Sequence, residues 1–314
     1  MDKIPVGISS CLAGQPVRHD GGHRHSRYCT DTLGEYFSLH PFCPENGAGM
    51  PTPRPAMHLV EHGEAVRLEV IRTGEDVTDA LLDWNQRVSP ELAHLRGFVL
   101  TAKSPSCGLE RIRVYNEAGQ VQHRQGVGLF AAHLLAQFPL MPVEDDGRLQ
   151  DPAIRENFLE RVFVYDDWCR LREEGLTAAG LLDFHTRHKM QLLAHCQATY
   201  RRLGPMLADL RNCDFDALAL TYISEVMAAL RKHISRGAHV NVMLHLLGYF
   251  RGKIDAVERQ SIQSSVDAYR QGHLPLIVPM TLIRHLQERF PHEYLQQQEY
   301  LAPYPDELGL RNRL

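Results

Sequence analysis

Along its first half the chain alternates short apolar runs with stretches of helical period. Ile4–Ser9 reads as a strand that enters Ser10-Cys11-Leu12-Ala13-Gly14. Tyr36–His40 reads as a shorter strand that enters Pro41-Phe42-Cys43-Pro44-Glu45. A further strand is expected near Val66–Arg72. The stretch Asp76–Arg87 has helical spacing, with Val77, Ala80, Leu81 and Trp84 on one face. Gly97–Lys103 is the clearest strand, and it enters Ser104-Pro105-Ser106-Cys107-Gly108. Gly126–Phe138 reads as a helix and Met141–Val143 as a last strand. Strands alternating with helices predict a mostly parallel sheet.

From Asp151 onward the period is almost wholly helical. The expected helices are Ile154–Glu173, Leu181–Leu203 (closed by Gly204-Pro205), Leu207–Ser235, Ala238–Gly252, Val257–Tyr269 and Met280–Arg289, the last following Pro275 and Pro279. Glu173-Glu174-Gly175 and Gly180 mark the change of character. The expected organisation is an α/β domain over 1–170 and an all-α helical domain over 180–314.

Composition narrows the function. The chain has 314 residues, 44% of them hydrophobic and 23% charged, which suits two packed domains and does not indicate disorder. The net charge is −4, but residues 183–270 carry 12 Lys/Arg against 8 Asp/Glu plus six His, a mildly basic centre. No apolar run reaches the ~18 residues of a membrane helix. The chain begins Met-Asp-Lys, without the apolar core of a secretion signal. Its seven Cys are scattered rather than framed as disulfides. The expected compartment is the reducing cytoplasm, where loop cysteines point to metal binding or catalysis.

Cys11, Cys43 and Cys107 each follow a predicted strand. The carboxyl ends of strands in an open parallel sheet gather on one edge, where ligands bind, so three thiols can meet there. Gly14, Gly47, Gly108, Pro44 and Pro105 in the same loops free or stiffen the backbone. Three thiolates suit an iron–sulfur cubane whose fourth iron stays open. Each cysteine taken alone reads as easily as a small buried hydrophobe. Glu45 and Ser104 stand beside the thiols: a carboxylate suits a general base, a hydroxyl suits proton transfer or charge stabilisation. Their plainer readings are a loop-end cap and a turn residue before proline. Cys29 lies in a His- and Arg-rich loop with His19, His23 and His25. Cys169, Cys196 and Cys213 fall on apolar helix faces and read as core.

Taken together, Ile8–Gly14, Val17–Gly21, Cys43-Pro44-Glu45, Pro51-Thr52-Pro53-Arg54, Lys103–Gly108 and Gly126-Val127-Gly128 resemble the thiouracil desulfurase (TudS) family over about 1–165. The resemblance implies a Rossmann-like domain with a 4Fe–4S cluster on Cys11, Cys43 and Cys107. It further implies a water activated by Glu45, assistance from Ser104, and non-redox release of hydrosulfide from a thiolated uracil. The sequence differs at His19, where the family more often has Tyr.

The second half resembles a helical domain found alone or fused to the first, through Phe184–Lys189, Ala194-His195, Tyr200–Gly204, His245–Phe250, Tyr269-Arg270, Pro275–Pro279 and Leu310–Asn312. The fusion is similar to the RudS desulfidases, which implies action on 4-thiouridine in tRNA. Arg187, His188, Lys189, Arg201, Arg202 and Lys232 are the candidate RNA contacts, with solvated helix surface as their plainer reading. Tyr200, Tyr249 and Phe250 read either as base-stacking platforms or as core. Two rival readings stay open at this point. One is a cluster-bearing redox or iron sensor with Cys29 as fourth ligand; the other is a binding module with structural zinc.

Overall fold

Ile4–Ser9 forms β1, which buries Ile4, Val6 and Ile8. Parallel to it run β2 (Phe37–Phe42), β5 (Gly97–Leu100) and β8 (Val143–Asp145), in the order β2-β1-β5-β8. Phe98, Val99 and Leu100 are fully buried, as a strand covered on both faces requires. Pro41 is tolerated because β2 is an edge strand of this sheet. The structure is a computed structural model that describes residues 3–208, 210 and 214–312. It divides into two units, Met1–Asp151 and Pro152–Leu314.

The first unit holds a second sheet, of which the sequence pattern showed one strand only. It comprises β3 (Met57–His62), β4 (Ala65–Val70), β6 (Ile112–Asn116) and β7 (Val121–Gly126), in the order β4-β3-β6-β7. Two antiparallel hairpins are joined by a parallel β3/β6 pairing. Its Leu59, Leu68, Ile112 and Val114 pack with Leu81 of α2 (Thr78–Leu92). Strand β7 has no buried residue and reads Val-Gln-His-Arg-Gln-Gly, so it lacks an apolar run. The helix expected over Gly126–Phe138 begins instead at Leu129 as α3 (Leu129–Gln137), because Gly126 ends β7.

The second unit is helical. It opens with α4 (Pro152–Glu173), so the division falls before this helix, and the Gly175 turn (φ +96°) instead links α4 to α5 (Ala178–His195). The long helix expected over Leu181–Leu203 is two helices. Cys196 is extended (φ −155°, ψ 95°) between α5 and α6 (Gln197–Met206). There follow α7 (Phe215–Leu230), α8 (Arg236–Gly248), α9 (Ala256–Gln271), α10 (Ile277–Arg289) and the short α11 (Glu293–Gln296). Asp214, Ser235 and Asp255 cap three of these by accepting backbone N–H bonds. Cys213 lies outside the described residues. The core gathers Val242, Met243, Leu246, Phe250, Met280, Ile283 and Tyr300. Among the described residues no helix is long and apolar enough to cross a membrane.

A cysteine-lined cavity at the carboxyl edge of the parallel sheet

Three loops leave the carboxyl ends of β1, β2 and β5, and each delivers one cysteine. After Ser9 the chain turns at once: Leu12 N–H donates to Ser9 O (2.8 Å) and Gly14 takes φ +90°, which needs glycine. Cys11 emerges from this turn with its Sγ 2.8 Å from Thr101 Oγ1. After Phe42, Cys43 opens the four-residue helix α1 (Pro44–Gly47), with Pro44 in its first turn. Cys107 lies seven residues beyond Leu100, further from its strand than the other two. Its loop is folded back by hydrogen bonds: Gly108 N–H to Ser104 O, Gly128 N–H to Gly108 O and Phe130 N–H to Ser106 O, each 2.8 Å.

Gly128 makes that fold possible. A Cβ there would stand 2.5 Å from Ser106 O and 2.9 Å from Cys107 N, both backbone atoms. Gly126 is similarly crowded by Ile112 O at 2.9 Å. The Gly126-Val127-Gly128 motif is therefore a close approach of two backbones that seats the Cys107 loop on the start of α3.

Cys11, Cys43 and Cys107 all line one cavity of about 410 Å³, together with Glu45, Ser104, Arg18, His19, Arg24, Arg54 and Lys103. Burial pushes all three thiols up, Cys43 to about 12. The charge of Glu45 pushes each of them in the same direction, and Cys107 also feels Cys43 and Cys11. Thiols so placed become thiolates only when a cationic centre takes them. Among the described residues no three His, Cys, Asp or Glu side chains converge as ligands of a single metal ion would.

Glu45 is buried at 8% exposure, and its Oε2 accepts from Cys43 Sγ at 3.3 Å. Behind it stands Arg54, whose Nη2 lies 3.7 Å from the same oxygen and whose Nη1 donates to Asn46 Oδ1 at 2.9 Å. This is the use of the Pro51-Thr52-Pro53-Arg54 motif: it brings a cation beneath the carboxylate. Ser104 Oγ accepts from Ser106 N (3.2 Å) and Cys107 N (3.1 Å), so it shapes the loop and keeps its own proton to donate. Arg24 donates to Ala102 O (3.2 Å) and pairs with Asp146 (3.4 Å), which in turn accepts from Ala102 N at 2.8 Å. Arg24 and Asp146 carry no strong local pattern; only their partners single them out. Cys29 is buried away from the cavity lining, on the 28–32 turn, and burial pushes its thiol up.

In the second unit the candidate RNA residues separate into two groups. Arg187 pairs with Asp167 (2.7 Å), Asp183 (2.8 Å) and Glu299 (3.4 Å). His188 is buried between Gln191 Oε1 and Asp167 Oδ2, 2.6 Å from each. Arg201, Arg202 and Lys232 are exposed, with Arg202 against Glu225 at 2.6 Å, and Lys189 lies over the Tyr200 ring. Phe250 is wholly buried, whereas Tyr249 is 37% exposed and stacks on Tyr294. Cys196, read as core, sits instead at the helix break. Burial pushes its thiol up, but the Thr199 hydrogen bond and the Lys232 ammonium at 3.2 Å bring it down to about 7.

A parallel sheet with helices, closed at its carboxyl edge by three cysteine loops around one cavity, defines the first unit as a Rossmann-like domain with a thiol-lined site. Residues 6–146 match the family model for 2-thiouracil desulfurase, and residues 189–305 match the family described as protein of unknown function, DUF1722. The chain is 37% identical over 158 residues to the uncharacterized protein YbgA of Escherichia coli (strain K12), covering 50% of this chain and 94% of that one. Among solved structures it is similar to the [4Fe-4S]-dependent thiouracil desulfidase TudS, at 32% identity over 47% of this chain and 94% of that chain, with a TM-score of 0.38. The chain belongs to the family of these proteins: it carries a 2-thiouracil desulfurase domain followed by a DUF1722 domain.

Proposed function

We propose that the protein is a desulfidase that removes sulfur from a thiolated uracil, with 4-thiouridine in tRNA as its substrate. The observation that carries this reading is the meeting of Cys11, Cys43, Cys107, Glu45 and Ser104 around one cavity. The donor set fits an iron–sulfur cubane. Each thiolate of a cubane binds a different iron, so its ligands surround a volume and need not converge on one point. The relative at 32% identity is described as [4Fe-4S]-dependent, in keeping with this fit. The flanking Arg18, Arg24, Arg54 and Lys103 suit a cluster made anionic by three thiolates.

Cys11, Cys43 and Cys107 would hold such a cluster, which would supply a thiophilic iron for the sulfur of the substrate. Glu45 takes a proton from a water that attacks the thiocarbonyl carbon. The Ser104 hydroxyl donates to the charge that develops on the ring. The C–S bond then breaks, oxygen replaces sulfur on the carbon, and sulfur departs as hydrosulfide without change of oxidation state. The DUF1722 unit holds the RNA: Lys189, Arg201, Arg202 and Lys232 contact phosphates, while Arg187 and His188 serve the interior of the unit.

The test is anoxic purification with assay of iron and labile sulfide, followed by addition of 4-thiouridine-containing tRNA and of free 4-thiouracil. Iron and sulfide on the chain with loss of the near-UV thiocarbonyl band supports desulfidation, and faster loss with tRNA supports the RNA substrate. A persistent band with both substrates rejects the activity.

A further inference from the structure

Two hydroxyls at the ends of adjacent strands stand behind two of the three thiols. β1 and β5 pair in parallel with Ile8 opposite Val99, which sets Ser9 level with Leu100 and one residue short of Thr101 where the strands end. Thr101 N–H donates to Ser9 Oγ at 3.0 Å. Thr101 Oγ1 lies 2.8 Å from Cys11 Sγ, and although burial pushes the Cys107 thiol up, the Ser9 side chain acts on it in the opposite direction. Ser9 is 2% and Thr101 8% exposed, so water does not compete for these bonds.

We propose that Thr101, coupled to Ser9, is a positioning residue that sets the electron density on the cluster's sulfur ligands. The proposal rests on the three-cysteine reading of the site. Once Cys11 is a thiolate its sulfur has no proton, so the hydroxyl of Thr101 must be the donor. The oxygen of Ser9 already accepts the Thr101 N–H, which leaves its proton for Cys107. Hydrogen bonds to ligand sulfur withdraw charge from it and raise the cluster's reduction potential, and a low surrounding dielectric strengthens them. Less donation from the thiolates leaves the iron a stronger Lewis acid toward a thiocarbonyl. Cys43 differs from the other two: its near neighbours are the Glu45 carboxylate and the Asn46 N–H.

The test uses anoxically purified full-length protein as wild type and as Thr101→Val, Thr101→Ser and Ser9→Ala. Iron and sulfide content, the visible charge-transfer spectrum and the reduction potential are read for each. Thr101→Val keeps the shape and removes the donor. It is expected to hold iron and sulfide like wild type, shift the potential to more negative values, alter the charge-transfer bands and slow turnover several-fold. Thr101→Ser should restore all of these, and Ser9→Ala should move the potential in the same direction as Thr101→Val. An unchanged potential and spectrum in fully loaded Thr101→Val overturns the proposal. If Thr101→Val loses the cluster, retention by Thr101→Ser supports the hydroxyl, and loss in both overturns it. Absence of iron from wild type is a separate outcome, which rejects the cluster reading itself.

Discussion

The Oε2 of Glu45 stands 3.3 Å from the Sγ of Cys43, two residues earlier in the chain, and shares its buried position with the guanidinium of Arg54 at 3.7 Å. One short helix thus presents a thiol and a carboxylate to the same cavity. Glu45→Gln keeps the size of the side chain and removes its basicity. Iron and sulfide content should stay at the wild-type level while turnover of the thiolated substrate falls about 10²-fold or more. Full activity with a full cluster would remove Glu45 from the role of base.

Gly128 provides a test at a distance from the reacting atoms. Its missing Cβ leaves room for Ser106 O and Cys107 N, backbone atoms that have no rotamer with which to yield. Gly128→Ala should displace the Cys107 loop and lower stability by about 1–3 kcal/mol. The expected signature is a loss of iron and sulfide per chain larger than the loss of folded protein. Equal iron content in the variant would mean that Cys107 does not hold the cluster.

The second unit carries its own prediction in acid. Glu160, 2% exposed, accepts from His195 Nε2 (3.1 Å) and Gln191 Nε2 (3.0 Å). Burial pushes its carboxyl up, but the charge and hydrogen bond of His195 prevail and hold it at about 2 against an ordinary 4.5. A carboxyl lowered in the folded state stabilises above 4.5, and that contribution is lost as pH falls from about 4.5 to about 2. His185 is lowered to about 4 by burial, then by Lys189 and His188, so its contribution is present above 6.5 and is lost between 6.5 and 4. With Trp84 replaced by Phe, the fluorescence of Trp168 reports this unit alone, and denaturation should show both losses. Glu160→Gln should remove the lower one and cost on the order of 3 kcal/mol at neutral pH by orphaning His195. An unchanged acid limb in that variant would refute the pairing.

Much of the site is legible in local pattern. The strands expected over Ile4–Ser9, Tyr36–His40 and Gly97–Lys103 form as Ile4–Ser9, Phe37–Phe42 and Gly97–Leu100, and a parallel sheet gathers their ends on one edge, so the meeting of Cys11, Cys43 and Cys107 follows from that pattern joined to topology. The second sheet is less legible because β7, exposed on both faces, has no hydrophobic period. The break at Cys196 is hidden because apolar positions keep a helical spacing through it, whereas backbone direction there is set by packing.

Most strands and helices, and the loops that carry Cys11, Cys43 and Cys107, are written in the spacing of residues along the chain, since hydrophobic period and turn residues act over short stretches. Folding in three dimensions was needed to set Thr101 against Cys11, to lay Arg54 under Glu45, to admit the Cys107 loop at Gly128, and to turn Arg187 and His188 toward Asp167. Each of these joins residues from separate segments, or fixes which way a side chain points. Periodicity records the partition of a residue between water and core, not the identity of the polar atom it meets there.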